Sequence, residues 1–303
     1  MTAHTCPTIS IVTPSYNQAS FLEEAMQSVL TQNYPNVEYV VIDGGSSDGS
    51  VDIIRQYQDR LAYWISEPDK GQYDSINKGF ARTKGEIMAW MNSDDKYAPW
   101  AFSVVADIFS SFPEVEWITS VHPMGWNARG QAVSMKHSGG FNRKSFLKGG
   151  NLPGTGWYGR EWIQQESTFW RRSLWDRAGG SLDTSLSLAA DFELWARFYQ
   201  CAELYGVVAF LGGFRAHGEQ RSAHHMEEYL AEADRVLRRH GGKPYNPVEG
   251  LLRRIFWKVL RQYSLAQIPS PVGTVLFRTH VLYPTSVAVW IEKKWKILPG
   301  FVV

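Results

Sequence analysis

Residues 90–95 read Trp-Met-Asn-Ser-Asp-Asp, and the apolar run Ile87-Met88-Ala89-Trp90-Met91 leads straight into the two carboxylates. A buried strand that ends in paired acids is either a turn with a helix cap or a place to hold a cation. One or two carboxylates, completed by substrate phosphates and water, are the usual means of holding Mg2+ or Mn2+. Asn92 supplies a further oxygen two residues before Asp94. A third acid, Asp43, closes the apolar run VEYVVID, and a fourth, Asp191, opens the segment DFELW.

These acids depend on the elements that carry them. TISIVTPSYN, VEYVVID, LAYWISE and residues 86–91 read as strands. Phe21, Leu22, Ala25, Val29 and Leu30 recur at helical spacing, with Asn17 placed to cap them, and Tyr73, Ile76, Asn77 and Phe80 share another helical face. Strands alternating with helices predict a parallel, doubly wound α/β sheet. Ligands of such sheets sit at the carboxyl ends of the strands, so Tyr16, Asp43, Glu67 and Asp94–Asp95 are expected to line one crevice. Farther along, PWAFSVVADIF reads as a helix and VEWITS as a strand, while 121–163, Gly-rich and aromatic with no clear period, reads as a loop-rich, substrate-facing region. QQESTFWRRSLWDRAGG reads as a strand and short helix, LAADFELWARFYQC and 224–240 as helices, and Gly241-Gly242 as a boundary.

The 303 residues carry a net charge of +1 and two cysteines, Cys6 and Cys201, in no metal-ligand spacing, so a reducing compartment is the default. Neither a signal peptide nor a membrane-spanning run of ~18 apolar residues is expected. Charge is uneven: residues 251–303 hold eight cations against Glu292 alone, a net +7, and the rest of the chain is −6. Phospholipid head groups and nucleic acid are the acidic surfaces such a tail could meet. Leu251, Leu252, Ile255, Phe256, Val259 and Leu260 mark one helical face and Arg253, Arg254, Trp257, Lys258 and Arg261 the other. That basic amphipathic pattern suits a membrane interface or packing on the domain; the membrane is favoured and no nucleic-acid partner is expected.

The motifs ISIVTPSYNQASFLEEAMQSVLTQNYPNVEYVVIDGGSSDGS and DKGQYDSINKGFARTKGEIMAWMNSDD, in that order, resemble the nucleotide-sugar domain of family-2 inverting glycosyltransferases over about residues 8–225. The resemblance implies the GT-A fold, a Rossmann-like, mostly parallel sheet flanked by helices. That domain would span 1–240, with a nucleotide half (about 1–120) and an acceptor half (about 121–240), followed by a helical basic extension over 241–303. It further implies that Pro14, Ser15 and Tyr16 contact the nucleotide and that Asp43 hydrogen-bonds its base, usually uracil. Asn77 and Lys84 would flank the nucleotide and donor sugar. Asn92-Ser93-Asp94-Asp95 would stand at the Asp-x-Asp station, with Asn92 at ribose and Asp94 and Asp95 at Mg2+ or Mn2+. His217 would be a further ligand, and Arg215 or Arg221 would offset phosphate charge.

Asp191 would be the base that takes the proton of the attacking hydroxyl, although an acid in a helix's first turn also complements the macrodipole, which lowers its pKa. Glu193, roughly 200° around the helix, points away from that cleft. Trp157, Gln165 and Glu166 would lie toward the acceptor and donor sugar, with Glu166 a rival acid. The partners implied are a nucleotide-sugar donor and a lipid-linked saccharide acceptor of surface-polysaccharide synthesis, met in the cytoplasm or at the inner face of the cytoplasmic membrane. Two readings stand beside this one: a catalytically silent nucleotide-sugar-binding scaffold, and a nucleotidyltransferase. VTPSYNQAS lacks the Gly-rich basic loop the latter needs.

Overall fold

Every side chain of Ile9–Ser15 is buried, as a strand covered on both faces requires. The computed structural model describes residues 6–136, 138–152, 162–218, 220, 224–246, 248–249 and 283–302. The chain runs β1 (Ile9–Ser15), α1 (Ala19–Leu30), β2 (Val37–Asp43), α2 (Ser50–Tyr57), β3 (Tyr63–Ser66), α3 (Gln72–Phe80), β4 (Ile87–Trp90), β5 (Lys96–Tyr97), α4 (Ala101–Ser111) and β6 (Trp117–Ser120). It continues through β7 (Met124–Asn127), β8 (Ala132–Met135), α5 (Arg143–Leu147), β9 (Phe169–Arg171), α6 (Arg172–Arg177), α7 (Ala190–Cys201), β10 (Leu204–Val207), β11 (Gly212–Ala216), α8 (Met226–Arg239), β12 (Tyr283–Ile291) and β13 (Lys294–Val302).

Among the described residues the main sheet has the order β13-β12-β10-β6-β9-β4-β1-β2-β3, and β5-β11-β7-β8 form a smaller one. In the main sheet β9 alone runs antiparallel to both neighbours, β4 and β6. β1 pairs in parallel with β2 on one side and β4 on the other. The connection order reverses between β1 and β4, and a crevice opens at their carboxyl ends. α3 packs closely there: a Cβ on Gly79 would lie 2.4 Å from Val12 Cγ1, so only glycine lets the helix sit so near β1.

Beneath the crevice lies an aromatic floor. Trp195 of α7 stacks between Trp90 and Trp117 at ring separations of 6.0 and 5.6 Å, and Trp170 meets Trp90 edge-on at 5.6 Å. These four indoles are fully buried, and they fix the start of α7 relative to the end of β4 through dense, directional contacts.

Three expectations change. Residues 121–163 are not loop throughout, because β7 and β8 pair as a hairpin whose β8 side chains are exposed, leaving little apolar periodicity to read. Asn17 does not cap α1; it adopts φ 51°, and Asp48 Oδ2 instead accepts the Ala19 N–H at 2.8 Å. The C-terminal extension is not helical over 283–302. β12 and β13 form a hairpin, with β12 joining the main sheet beside β10 and Ala288 buried against the core. The basic helix expected at 251–261 lies outside the described residues.

Candidate active site

The loops at the carboxyl ends of β1 and β4, the turn at 165–167, the start of α7 and the start of α8 enclose a cavity of about 690 Å3. Pro14, Ser15, Tyr16, Asn92, Ser93, Asp94, Asp95, Gln165, Glu166 and Asp191 all line it, although they come from distant parts of the sequence. Tyr16 is 63% exposed, an aromatic face left free beside the cavity. Trp157 and Arg221 lie outside the described residues.

Five residues expected at the site are elsewhere. Asp43 is fully buried, and its carboxylate accepts the N–H groups of Gly45 and Ser46 at 3.1 and 2.9 Å and the hydroxyls of Ser46 and Ser66 at 2.5 and 2.7 Å. With three donors from its own loop and Ser66 of β3 satisfied, it organises the β2 loop and does not line the cavity. Asp69 stands in the wall instead. Gly44 makes room for it, since a Cβ there would meet the Asp69 carboxylate at 2.6 Å and the Tyr16 ring at 3.3 Å. Asn77 spends both ends of its amide on the backbone of Leu182, at 3.0 and 2.8 Å. Lys84 precedes β4 and is exposed at the amino ends of the strands, away from the crevice. Arg215 is 1% exposed and is held by the Asp94 carbonyl at 2.6 Å and Glu24 at 2.7 Å, so its charge is not available to phosphate. Glu67, too, turns away, to Lys78 at 3.3 Å.

The buried Asp43 network yields a stability prediction. Asp43→Ala strands four donors and lowers the unfolding free energy by about 3 kcal/mol, measured by urea denaturation. A change under 0.5 kcal/mol contradicts the structural role.

The acids of the β4 loop divide their work. Asp95 is 1% exposed and accepts the Arg215 N–H at 2.7 Å and the Asn92 amide at 3.2 Å. Burial, then the charges of Asp94 and Glu166, hold its pKa well above the usual carboxylate range. Asp94 is the outward member, with Oδ2 3.0 Å from Nε2 of His217. The His217 ring lies 4.4 Å from Phe21, and its buried Nδ1 has no partner among the described residues. Among the described residues no three His, Cys, Asp or Glu side chains converge into a closed metal cage. A carboxylate and an imidazole beside an open cavity fit a cation that takes its remaining ligands from phosphate and water.

Asn92 is locked by Gln72, which donates to its Oδ1 at 2.7 Å, and its own amide reaches Gln165 at 3.3 Å. Gln165 in turn donates to the Trp90 carbonyl at 2.7 Å. Glu166 is buried, with no partner for Oε2 among the described residues, and burial, together with the nearby charges of Asp94 and Asp191, raises its pKa to about 7.

Asp191 sits in the first turn of α7 and accepts the Phe192 N–H at 2.7 Å. Its pKa is raised to about 6, the reverse of the shift the helix position alone predicts. Burial dominates and outweighs the hydrogen bonds to the charged form. Glu193, as expected, is structural: it is 5% exposed and grips Arg197 through both oxygens at 2.7–3.0 Å. Sequence reasoning missed Asp69, Gln72, Tyr73, Trp162, Phe214 and Tyr229, which complete the wall. The helical face shared by Tyr73 and Ile76 was the one legible signal among them.

Comparison with known proteins agrees with this architecture. Residues 10–163 match glycosyl transferase family 2. An uncharacterized glycosyltransferase of Mycobacterium tuberculosis, MT1564, is 29% identical over 188 residues, 62% of this chain and 67% of that protein. TuaG of Bacillus subtilis, whose provisional name assigns it to teichuronic acid biosynthesis, is 36% identical over 94 residues, 30% of this chain and 37% of its own. In fold, S. aureus TarS 1–349 in complex with UDP-GlcNAc superposes with a TM-score of 0.59 at 16% identity, over 80% of this chain and 69% of that one. The mannosyltransferase PcManGT from Pyrobaculum calidifontis, in complex with GDP-Man and Mn2+, gives 0.53 at 18% identity over 91% and 80%. The chain is a member of glycosyltransferase family 2 with a GT-A-like α/β fold.

Proposed function

We propose that the protein is a metal-dependent inverting glycosyltransferase that moves a sugar from a UDP-sugar to a hydroxyl of a lipid-linked saccharide in cell-surface polysaccharide synthesis. One observation carries the reading: Asp94 and Asp191, 97 residues apart in sequence, line the same cavity together with the exposed face of Tyr16. The uridine would stack on Tyr16 beside Pro14 and Ser15, the ribose would meet Asn92, and the diphosphate would lie toward Asp94 and His217. These two residues would hold Mg2+ or Mn2+, which when bound supplies positive charge for the leaving diphosphate.

Asp191 accepts the proton of the acceptor hydroxyl while that oxygen bonds to the anomeric carbon. The bond from that carbon to the β-phosphate oxygen breaks on the opposite face, and UDP departs with the electron pair. The anomeric configuration therefore inverts in one displacement, and the proton rests on Asp191. Gln165 and Glu166 face the sugar side of the cavity. TuaG and TarS support the polysaccharide context and the uridine donor as relatives in sequence and fold. No helix among the described residues is long and apolar enough to cross a membrane, and the proposed site of action is the inner face of the cytoplasmic membrane, with the protein peripheral.

A panel of nucleotide sugars with and without Mn2+ tests this. Slow hydrolysis of one UDP-sugar, dependent on the metal, is expected. UDP binding without hydrolysis of any member would leave a binding protein, and failure to bind any nucleotide would remove the reading.

A further inference from the structure

Helix α8 takes no part in the reaction just described, yet two of its side chains, three residues apart and therefore on one face, point at the start of α7. Tyr229 donates its hydroxyl to the Asp191 carboxylate, 3.2 Å from Oδ1 and 3.4 Å from Oδ2. Glu232, 9% exposed, accepts the N–H groups of Ser187, Leu188 and Ala189 at 3.0, 2.9 and 3.0 Å. Those amides belong to the loop from which α7 springs and to its N-cap, Ala189, which has no side-chain cap of its own.

We infer that α8 positions and tunes the catalytic base: Tyr229 aims the Asp191 carboxylate, and Glu232 occupies the amides at the mouth of α7. This rests on Asp191 being the base. A helix start carries partial positive charge that favours an ionised acid and weakens it as a base. Glu232 places a full negative charge against that pole, and its own carboxyl, despite burial, is held below the usual range by the three amides. After burial and the opposing hydrogen bonds, its charge is a further cause that raises Asp191. Tyr229 acts in the opposite sense, because its hydroxyl stabilises the carboxylate. Glu166 from the 165–167 turn also faces this carboxyl, and Tyr73 from α3 lies near the Tyr229 hydroxyl while donating its own to the Leu188 carbonyl. His225 at the cavity rim is engaged by Glu228 at 2.9 Å.

The two roles predict shifts of opposite sign, which general destabilisation does not. The Asp191 carboxyl resonance, identified by its absence from Asp191→Asn, is titrated by 13C NMR in wild type, Tyr229→Phe and Glu232→Gln. Its midpoint is expected to move up in Tyr229→Phe and down in Glu232→Gln. Turnover of the hydrolysed UDP-sugar should fall about tenfold in kcat in Tyr229→Phe, with little change in KM. Unmoved midpoints, or shifts of the same sign, overturn the inference. If Glu232→Gln does not fold, an unmoved midpoint in Tyr229→Phe suffices to overturn it. Should Asp191→Asn retain full turnover, the base assignment fails instead, a result the titration by itself cannot produce.

Discussion

Asp191→Asn is expected to lower transfer by about three orders of magnitude, within the range a positioned general base contributes, while UDP binding with Mn2+ stays within twofold. The amide keeps the shape and the hydrogen bond from Phe192 N–H but cannot take a proton. In the wild type the same group sets the acid limb. With a pKa of about 6, Asp191 is ionised and competent above that value. kcat/KM should therefore rise with pH through about 6 and level off above it. A flat profile from pH 5 to 8, or an active Asp191→Asn, would sink the assignment.

The same raised value has a consequence for stability. The unfolded carboxyl titrates near 3.8 and the folded one near 6, so between these values the native state holds the proton more tightly. Stability is favoured by protonated Asp191 at low pH and is lost as pH rises through the folded value. Asp191→Asn should accordingly raise Tm at pH 7 by more than at pH 4.5, on the order of 1–2 kcal/mol in stability.

Asp94→Ala is the second large effect. Removing the outward carboxylate should weaken Mn2+-dependent UDP binding by about a hundredfold and abolish metal-dependent hydrolysis. Metal-independent nucleoside contacts at Tyr16 remain, so uridine affinity serves as the control. Isothermal titration of UDP with and without Mn2+ reads both. Equal loss of uridine and of UDP would mean that the cavity had collapsed. Retained Mn2+ enhancement would move the metal away from Asp94.

Much of the catalytic half was legible because its signals are local. Apolar runs closed by turn residues mark strands, helical spacing marks the faces between them, and alternation of the two dictates a parallel sheet with one ligand-binding edge. That reasoning placed Tyr16 and Asp94–Asp95 at one crevice, where the structure has them, and the family resemblance added Asn92 and Asp191, which line the same cavity. It misread Asp43 and Glu67, and the resemblance misplaced Asn77, because a polar residue at a strand end or on a helix face looks the same whether its partners are ligand or protein. Only the folded loops show that Asp43 and Asn77 have spent their hydrogen bonds on the protein.

The C-terminal hairpin was illegible for a related reason. Trp290 opposite Trp295, and Val289 opposite Lys296, acquire meaning only as cross-strand pairs, and their sheet partner β10 lies some eighty residues earlier. Sequence by itself determined the family, the sheet, and which acids could do chemistry. Tertiary structure decided which of those acids are free to do it. Whether a carboxylate faces solvent, three amides or a tyrosine depends on chain segments too far away in sequence for any local pattern to register, and that environment sets both its aim and its pKa.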